Sequence, residues 1–96
     1  MEYIALVIYD VKDDKLRVEI SRFLRKAGLS RIQKSAFAGP IKPSYRVEIE
    51  AGIRRLVKNQ NNYNIQIYVL TPNTYNNRTV ISEGYTIEES PDEFVI

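Results

Sequence analysis

The sequence YIALVIYD, from Tyr3 to Asp10, is the stretch that decides the fold of this chain. Its first seven residues are all apolar or aromatic, and Ile4, Val7 and Ile8 are β-branched. A short continuous apolar run of this kind is typical of a strand that is covered on both faces. The run ends at the carboxylate of Asp10, and the carboxyl end of a central strand is where α/β sheets tend to place functional groups. We therefore predict a central strand over residues 3–10 and a candidate site that begins at Asp10.

The composition excludes several kinds of chemistry. The 96 residues suit one domain, and a core of this size is marginal enough that oligomerisation often stabilises it. The chain has no cysteine and no histidine, so disulfides, thiolate-bound zinc and imidazole catalysis are excluded. Any bound metal would be a hard cation held by oxygen, with Mg²⁺ or Mn²⁺ the leading candidates. No apolar run approaches the roughly 20 residues of a membrane span, and we expect a cytoplasmic protein with no membrane partner.

Charge is distributed unevenly along the chain. Residues 1–60 contain 13 Lys and Arg against 7 Asp and Glu, a balance of +6, whereas residues 61–96 contain 1 against 5, a balance of −4. A basic body with an acidic tail indicates a polyanionic partner. The basic side chains of the two predicted helices are either ordinary solvated charges or contacts to the backbone of a nucleic-acid duplex. They are Arg22, Arg25, Lys26, Arg46, Arg54, Arg55 and Lys58.

The segment after the first strand is predicted to form a helix and then one or two strands. Carboxylates at Asp13 and Asp14 suit a helix N-terminus, apolar residues recur at helical spacing to about Ala27, and Gly28 supplies the stop. Residues 30–38 are predicted as a strand that is either bulged near residue 35 or continued as a second short strand through residue 41.

The second half of the chain repeats the order helix and strand. After a loop marked by Gly39-Pro40 and Pro43, Ser44 is a good cap for a second helix that reaches about Asn59. Apolar residues alternate cleanly over residues 64–70, which predicts a strand. The remaining elements are predicted as a turn at residues 71–77 and a short strand at residues 78–82.

This order of elements predicts an α+β sandwich of the ferredoxin-like type, in which an antiparallel-containing sheet carries two helices on one face. The predicted domain covers residues 1–84, and residues 85–96 form an acidic C-terminal tail. The tail ends in the apolar residues Phe94-Val95-Ile96. A terminal apolar strand should pair with a sheet edge, in this subunit or in another.

Four short motifs carry a family resemblance: Tyr9-Asp10-Val11, Arg17, Gly28-Leu29 followed by Arg31-Ile32-Gln33, and Ser35-Ala36-Phe37. Together with the length of the chain, they resemble the CRISPR-associated protein 2 family, the small subunits of the CRISPR spacer-acquisition machinery. The resemblance covers essentially the whole chain. It implies a ferredoxin-like fold and a homodimer in which the C-terminal strand is exchanged between protomers. Some members are described as metal-dependent endoribonucleases.

The resemblance also assigns roles to individual positions. It implies that Asp10 of each protomer faces its twin across the dimer axis, where the pair can hold Mg²⁺ or Mn²⁺. Tyr9 beside it is the second position expected to serve catalysis. The remaining matching positions are expected to bind nucleic acid, and they are Arg17, Arg31, Ser35 and Phe37.

Each of these residues also has a purely structural interpretation. Asp10 could satisfy loop amides before the first helix, and Phe37 could be a core residue instead of a platform on which a base stacks. Arg17 and Arg31 could be solvated charges instead of phosphate contacts. The structural alternatives are a half-buried aromatic for Tyr9 and a bulge residue for Ser35.

Three functions remain open on the sequence. The first is a Mg²⁺-dependent endoribonuclease that cleaves single-stranded RNA, or duplex DNA, during spacer acquisition. The second is a non-catalytic dimeric scaffold that holds spacer duplex DNA and the CRISPR integrase, for which Asp10 would be dispensable. The third is a toxin-type ribonuclease of related fold that acts without an integrase partner.

Overall fold

The strand β1 (Tyr3–Val11) lies inside a four-stranded antiparallel sheet in the computed structural model, which describes residues 2–87. Its two hydrogen-bonded neighbours are β3 (Ala36–Ile41) and β4 (Tyr63–Leu70), and β2 (Ser30–Gln33) lies outside β3. The strand order β2-β3-β1-β4, with a helix after β1 and another after β3, is that of a ferredoxin-like sandwich. The predicted fold class is therefore confirmed.

Two helices, α1 (Asp14–Lys26) and α2 (Tyr45–Val57), cover one face of the sheet. Each contributes an apolar stripe, which packs on the inward-facing residues of β1 and β3. The buried core consists of Ala5, Val7, Tyr9, Val11, Leu16, Ile20, Leu24, Leu29, Phe37, Ile41, Ile49, Ile53 and Val57.

The ends of α1 are specified locally. The side chain of Asp13 accepts a hydrogen bond from the backbone N of Leu16 at 2.7 Å, which makes it the N-cap. At the other end Gly28 has a φ of 93°, and the N–H groups of Gly28 and Leu29 donate to earlier carbonyls of the helix. This is a Schellman motif, for which glycine is the favoured residue. The predicted start and stop of this helix are confirmed.

The segment at residues 30–41 forms a hairpin of two strands, β2 and β3, so the second of the two predicted alternatives is confirmed. The prediction that Gly39-Pro40 belongs to a loop is wrong, because both residues lie in β3. Pro40 pairs with Ile4 of β1, while β2 reaches only as far as Ala38 on the other side of β3. An imide nitrogen is tolerated there because no neighbouring strand requires its N–H.

The second half of the domain departs from the predictions at three places. The second helix ends at Val57 instead of Asn59, whose φ is positive at 65°. Residues 71–77, predicted as a turn, contain the single-turn helix α3 (Pro72–Asn76), capped by the hydroxyl of Thr71. Residues 78–82, predicted as a strand, have no strand partner within residues 2–87. The terminal strand predicted at residues 94–96 lies outside the described residues.

The face of β1 that points away from the helices is only partly covered by residues 2–87. Ile4 and Leu6 are half-buried, Ile8 is 41% exposed, and Asp10 is exposed. The prediction that β1 is covered on both faces is therefore not met by the described residues. Hereafter this side of the sheet is called the outer face. Within residues 2–87, no helix is both long enough and apolar enough to cross a membrane.

Close packing between the two helices depends on Gly52, because a Cβ at this position would lie 2.1 Å from Cζ of Phe23. Gly52→Ala is expected to lower the free energy of unfolding by about 1–2 kcal/mol, since the overpacking cost exceeds the gain of ~1 kcal/mol in helix propensity. In a Phe23→Ala background the same change should become stabilising. Urea denaturation of the wild type, Gly52→Ala, Phe23→Ala and the double variant, all at the same protein concentration, measures both effects. If Gly52→Ala lowers the free energy of unfolding equally in both backgrounds, the contact with Phe23 is contradicted.

Candidate metal and nucleic-acid site

Asp10 is the penultimate residue of β1, and its carboxylate lies on the outer face. The flanking residues Tyr9 and Val11 are each only 3% exposed, because their side chains point to the helices. In the register with β4, Asp10 stands directly opposite Asn64. Within residues 2–87 there is no group of three or more acidic side chains that could hold a metal ion. Among these described residues, Asp10 is therefore not part of a preformed cluster of metal ligands.

Two other predicted site residues lie at the same end of β1. Arg17 donates from Nη1 to the backbone carbonyl of Val11 at 3.1 Å and forms an ion pair with Asp14. Its side chain is 43% exposed, so the guanidinium also faces solvent. Ser35, in the turn between β2 and β3, accepts a hydrogen bond at its carbonyl from the backbone N of Tyr9 at 2.9 Å. The fold thus brings Asp10, Arg17 and Ser35 to one end of the sheet.

The other three predicted site residues lie on the helix side. Phe37 is completely buried, and its ring stacks with that of Tyr9 at a centroid distance of 6.4 Å. The guanidinium carbons of Arg31 and Arg25 lie 4.8 Å and 5.7 Å from the centroid of Phe37. Arg31 also donates from Nη1 to the backbone carbonyl of Lys34. The sheet therefore separates Tyr9, Arg31 and Phe37 from the carboxylate of Asp10.

This arrangement bears on the structural interpretations of these residues, while their predicted roles in the site stay predictions. Phe37 is the core residue of the structural alternative, because a base could stack on its ring only if the packing around it opened. Tyr9 is 3% exposed and is therefore buried more deeply than the half-buried aromatic of its structural interpretation. Arg31 packs on Phe37 as a cation–π partner, and its predicted contact to phosphate stays a prediction.

A row of polar side chains on β4 was missed by the sequence analysis. The hydroxyl of Tyr68 donates to Oε1 of Gln66 at 2.5 Å, and Nε2 of Gln66 donates to Oδ1 of Asn64 at 3.2 Å. We call these three residues the β4 ladder. The sequence contained the signal for this row. The alternation that places Ile65 and Ile67 towards the helices places Asn64, Gln66 and Tyr68 on the outer face.

The exposed surface of α2 is basic. Arg46 donates to Glu50 at 2.9 Å, whereas Arg54, Arg55 and Lys58 are exposed and have no such partner among the described residues. A groove of about 290 Å³ lies between α2 and β4. Its lining combines apolar residues of both elements with Glu50 and Arg54. This surface belongs to the helix layer and not to the outer face on which Asp10 lies.

The family model for CRISPR associated protein Cas2 matches residues 1–78. The chain belongs to this family. The CRISPR-associated endoribonuclease Cas2 2 of Chloroflexus aurantiacus is 34% identical over 81 residues, which are 84% of this chain and 94% of that protein. The resemblance drawn from the motifs around Asp10, Arg31 and Phe37 is therefore confirmed.

Solved Cas2 structures share the fold. The match to a crystal structure of Cas2 spans 94% of this chain and 99% of the chain in that structure, with a TM-score of 0.71 at 20% identity. The match to a chain of a partial Cas6-RT-Cas1–Cas2 complex spans 92% of this chain and 96% of that chain, with a TM-score of 0.69 at 28% identity. These similarities extend over almost the entire Cas2 domain.

The burial of Phe37 leads to a test of its role. Phe37→Leu is expected to lower the free energy of unfolding by about 1–2 kcal/mol while leaving the affinity for single-stranded RNA within twofold of the wild type. Denaturation in urea and fluorescence anisotropy measure the two quantities on the same preparations. A base-stacking role would instead cost about 1–3 kcal/mol of binding, so a tenfold loss of RNA affinity in a folded Phe37→Leu protein would contradict the core assignment.

Proposed function

We propose that this Cas2-family protein is a metal-dependent endonuclease subunit that acts in CRISPR spacer acquisition and cleaves single-stranded RNA at paired Asp10 residues. The observation that carries the proposal is the exposed carboxylate of Asp10 at the end of an inner strand of the sheet, on the face that the helices leave uncovered. The name of the Chloroflexus aurantiacus relative, which says endoribonuclease, supports the activity. The Cas1-containing complex of a structural relative supports the setting in spacer acquisition.

A homodimer would supply the second carboxylate. The outer face presents Ile8 at 41% and Tyr68 at 44% exposure, beside half-buried Leu6. A second copy packed on this apolar surface about a two-fold axis would bury it. Each subunit would then contribute one Asp10 to the same interface. Residues 78–82 fit an exchanged strand, since Val80 and Ile81 are 69% and 93% exposed and β4 is an edge strand.

The donor set fits Mg²⁺ or Mn²⁺, because two carboxylates and solvent offer the oxygen ligands that these ions prefer. Such an ion would neutralise charge on the scissile phosphate and activate water, which a protein without histidine needs. Arg17 is held at the same end of β1 by the carbonyl of Val11, and its solvent-facing donors can bind a phosphate oxygen. The hydrogen bond from the backbone N of Tyr9 to the carbonyl of Ser35 fixes the end of the strand that carries Asp10.

Replacing Asp10 tests the proposed activity directly. Asp10→Asn keeps the shape of the side chain but removes the charge that would hold the cation, so cleavage of single-stranded RNA should fall at least 100-fold, to the level seen with EDTA. Gel assays with Mg²⁺, with Mn²⁺ and with EDTA measure it on proteins shown to be dimers.

The matched control is Glu48→Gln, which removes the same charge from an exposed position on α2. It should cleave like the wild type. Equal cleavage by the wild type and Asp10→Asn would exclude the paired Asp10 site as the source of the activity.

A second candidate function is the non-catalytic scaffold, and the basic surface of α2 favours it. Arg55 lies in the last turn of α2 and Lys58 is its C-cap, so two exposed cations stand three residues apart at this end of the helix. Cationic groups in such a row suit the phosphates of duplex DNA. In this function Asp10→Asn retains binding to duplex DNA and to the integrase.

Salt dependence tests whether α2 carries the duplex. If Arg55 and Lys58 each contact one phosphate, the double variant Arg55→Gln, Lys58→Gln should reduce the slope of log affinity against log salt by about 1.8. The control variant Lys12→Gln, Lys15→Gln removes the same charge from exposed positions at the start of α1 and should leave that slope unchanged. Fluorescence anisotropy with duplex DNA over a series of salt concentrations gives both slopes, and equal slopes in all three proteins would remove α2 from the interface.

A further inference from the structure

Asn64 is the nearest polar neighbour of Asp10 across the strand pair. The two residues are directly opposite in the antiparallel register of β1 and β4. Residues paired in this way have Cβ atoms about 4.5–5.5 Å apart, on the same face of the sheet. Both side chains are exposed. A group that binds at the carboxylate of Asp10 is therefore within reach of the Asn64 amide.

In the β4 ladder, one end of that amide is hydrogen-bonded and the other end is available. The hydroxyl of Tyr68 donates to Oε1 of Gln66, and this turns Nε2 of Gln66 towards Asn64. Nε2 then donates to Oδ1 of Asn64, so the amide oxygen of Asn64 is engaged and Nδ2 points away from Gln66. Every hydrogen bond in the row has its donor on the Tyr68 side. The row ends in an NH₂ group that has no protein acceptor within residues 2–87.

The chemistry of this free end distinguishes between two kinds of ligand. A divalent cation takes oxygen ligands, whereas the free end of the Asn64 amide is a nitrogen that carries two hydrogens. The two hydrogens of Nδ2 instead suit an anionic oxygen. Because the Asn64 amide is neutral, it does not add to the negative charge of Asp10 that repels a phosphate.

We propose that Asn64 is a substrate-binding residue of the Asp10 site, where its Nδ2 donates to a phosphate oxygen of bound nucleic acid. Gln66 and Tyr68 are positioning residues that hold the amide in this orientation. The proposal deepens the proposed function and rests on it, because it assigns the phosphate partner at the same site. It predicts that changes at position 64 act on nucleic-acid affinity and not on the metal.

The test compares RNA affinity with Mg²⁺ affinity. Asn64→Ala should weaken binding of single-stranded RNA by about tenfold, the usual loss for a hydrogen bond to a charged group. Its Mg²⁺ affinity without RNA, measured by calorimetry, should be unchanged. Asn64→Asp should weaken RNA binding further, because a carboxylate repels phosphate, while its Mg²⁺ affinity should be equal or higher. Tyr68→Phe removes only the first donor of the ladder and should give a smaller loss of about two- to fivefold.

The matched control is Asn73→Asp, which makes the same change on α3, after the end of β4 that lies away from Asp10. It should bind RNA within twofold of the wild type. All variants are first shown to be folded dimers of unchanged unfolding midpoint. Wild-type RNA affinity in Asn64→Ala, or a fall in its Mg²⁺ affinity, would overturn the proposal.

Failure of the proposed function has a different signature. RNA affinity is measured with EDTA as well as with Mg²⁺, so it needs no cleavage. If Asp10→Asn cleaves like the wild type while Asn64→Ala still loses RNA affinity, the endonuclease proposal fails and the phosphate contact stands. If Asp10→Asn loses cleavage while the Asn64 variants bind like the wild type, the phosphate contact fails alone. A wild-type protein that binds no RNA overturns both.

Discussion

β1 is hydrogen-bonded along both of its edges, to β3 and to β4, and the rest of the structure depends on this pairing. The double pairing fixes the strand so that Ala5, Val7, Tyr9 and Val11 face the helices and form the centre of the core. The period of two then forces Ile8 and Asp10 onto the outer face. A shift of one residue would bury the carboxylate and expose the core, which is why the register is strongly determined.

The contacts around the end of β1 hold Asp10 in place without touching its carboxylate. The backbone N of Tyr9 donates to Ser35, and the backbone carbonyl of Val11 accepts from Arg17. These bonds tie the strand end to the β2–β3 turn and to the first turn of α1. Residues whose identity suggested chemistry in the sequence therefore contribute in part as the frame of the site. Phe37 and Arg31 extend this frame, since they pack behind Tyr9 on the helix side.

The features that the sequence predicted correctly are those with local causes. Asp13 and Gly28 mark the ends of α1 because capping and a positive φ are properties of a few adjacent residues. The prediction for Pro40 was wrong because its place in β3 depends on where the pairing with β2 stops. That point is set by the tertiary structure and not by the local sequence. Arg31 could not be placed either, since the irregular register after it, between residues 31 and 33, decides which face each β2 side chain takes. The facing of Asn64 was readable from alternation, but its opposition to Asp10 needed the register of β4.

The two proposed functions use surfaces that the fold keeps apart. Asp10 and the β4 ladder lie on the outer face, whereas Arg55 and Lys58 are exposed at the C-terminal end of α2, in the helix layer. A helix with its side chains is about 10–12 Å across, so a duplex held on α2 is not at the carboxylate on the other side of the sheet. Cleavage and scaffolding therefore do not compete for the same residues. One chain can carry both, and changes on the outer face leave the charge of the helix layer unaltered.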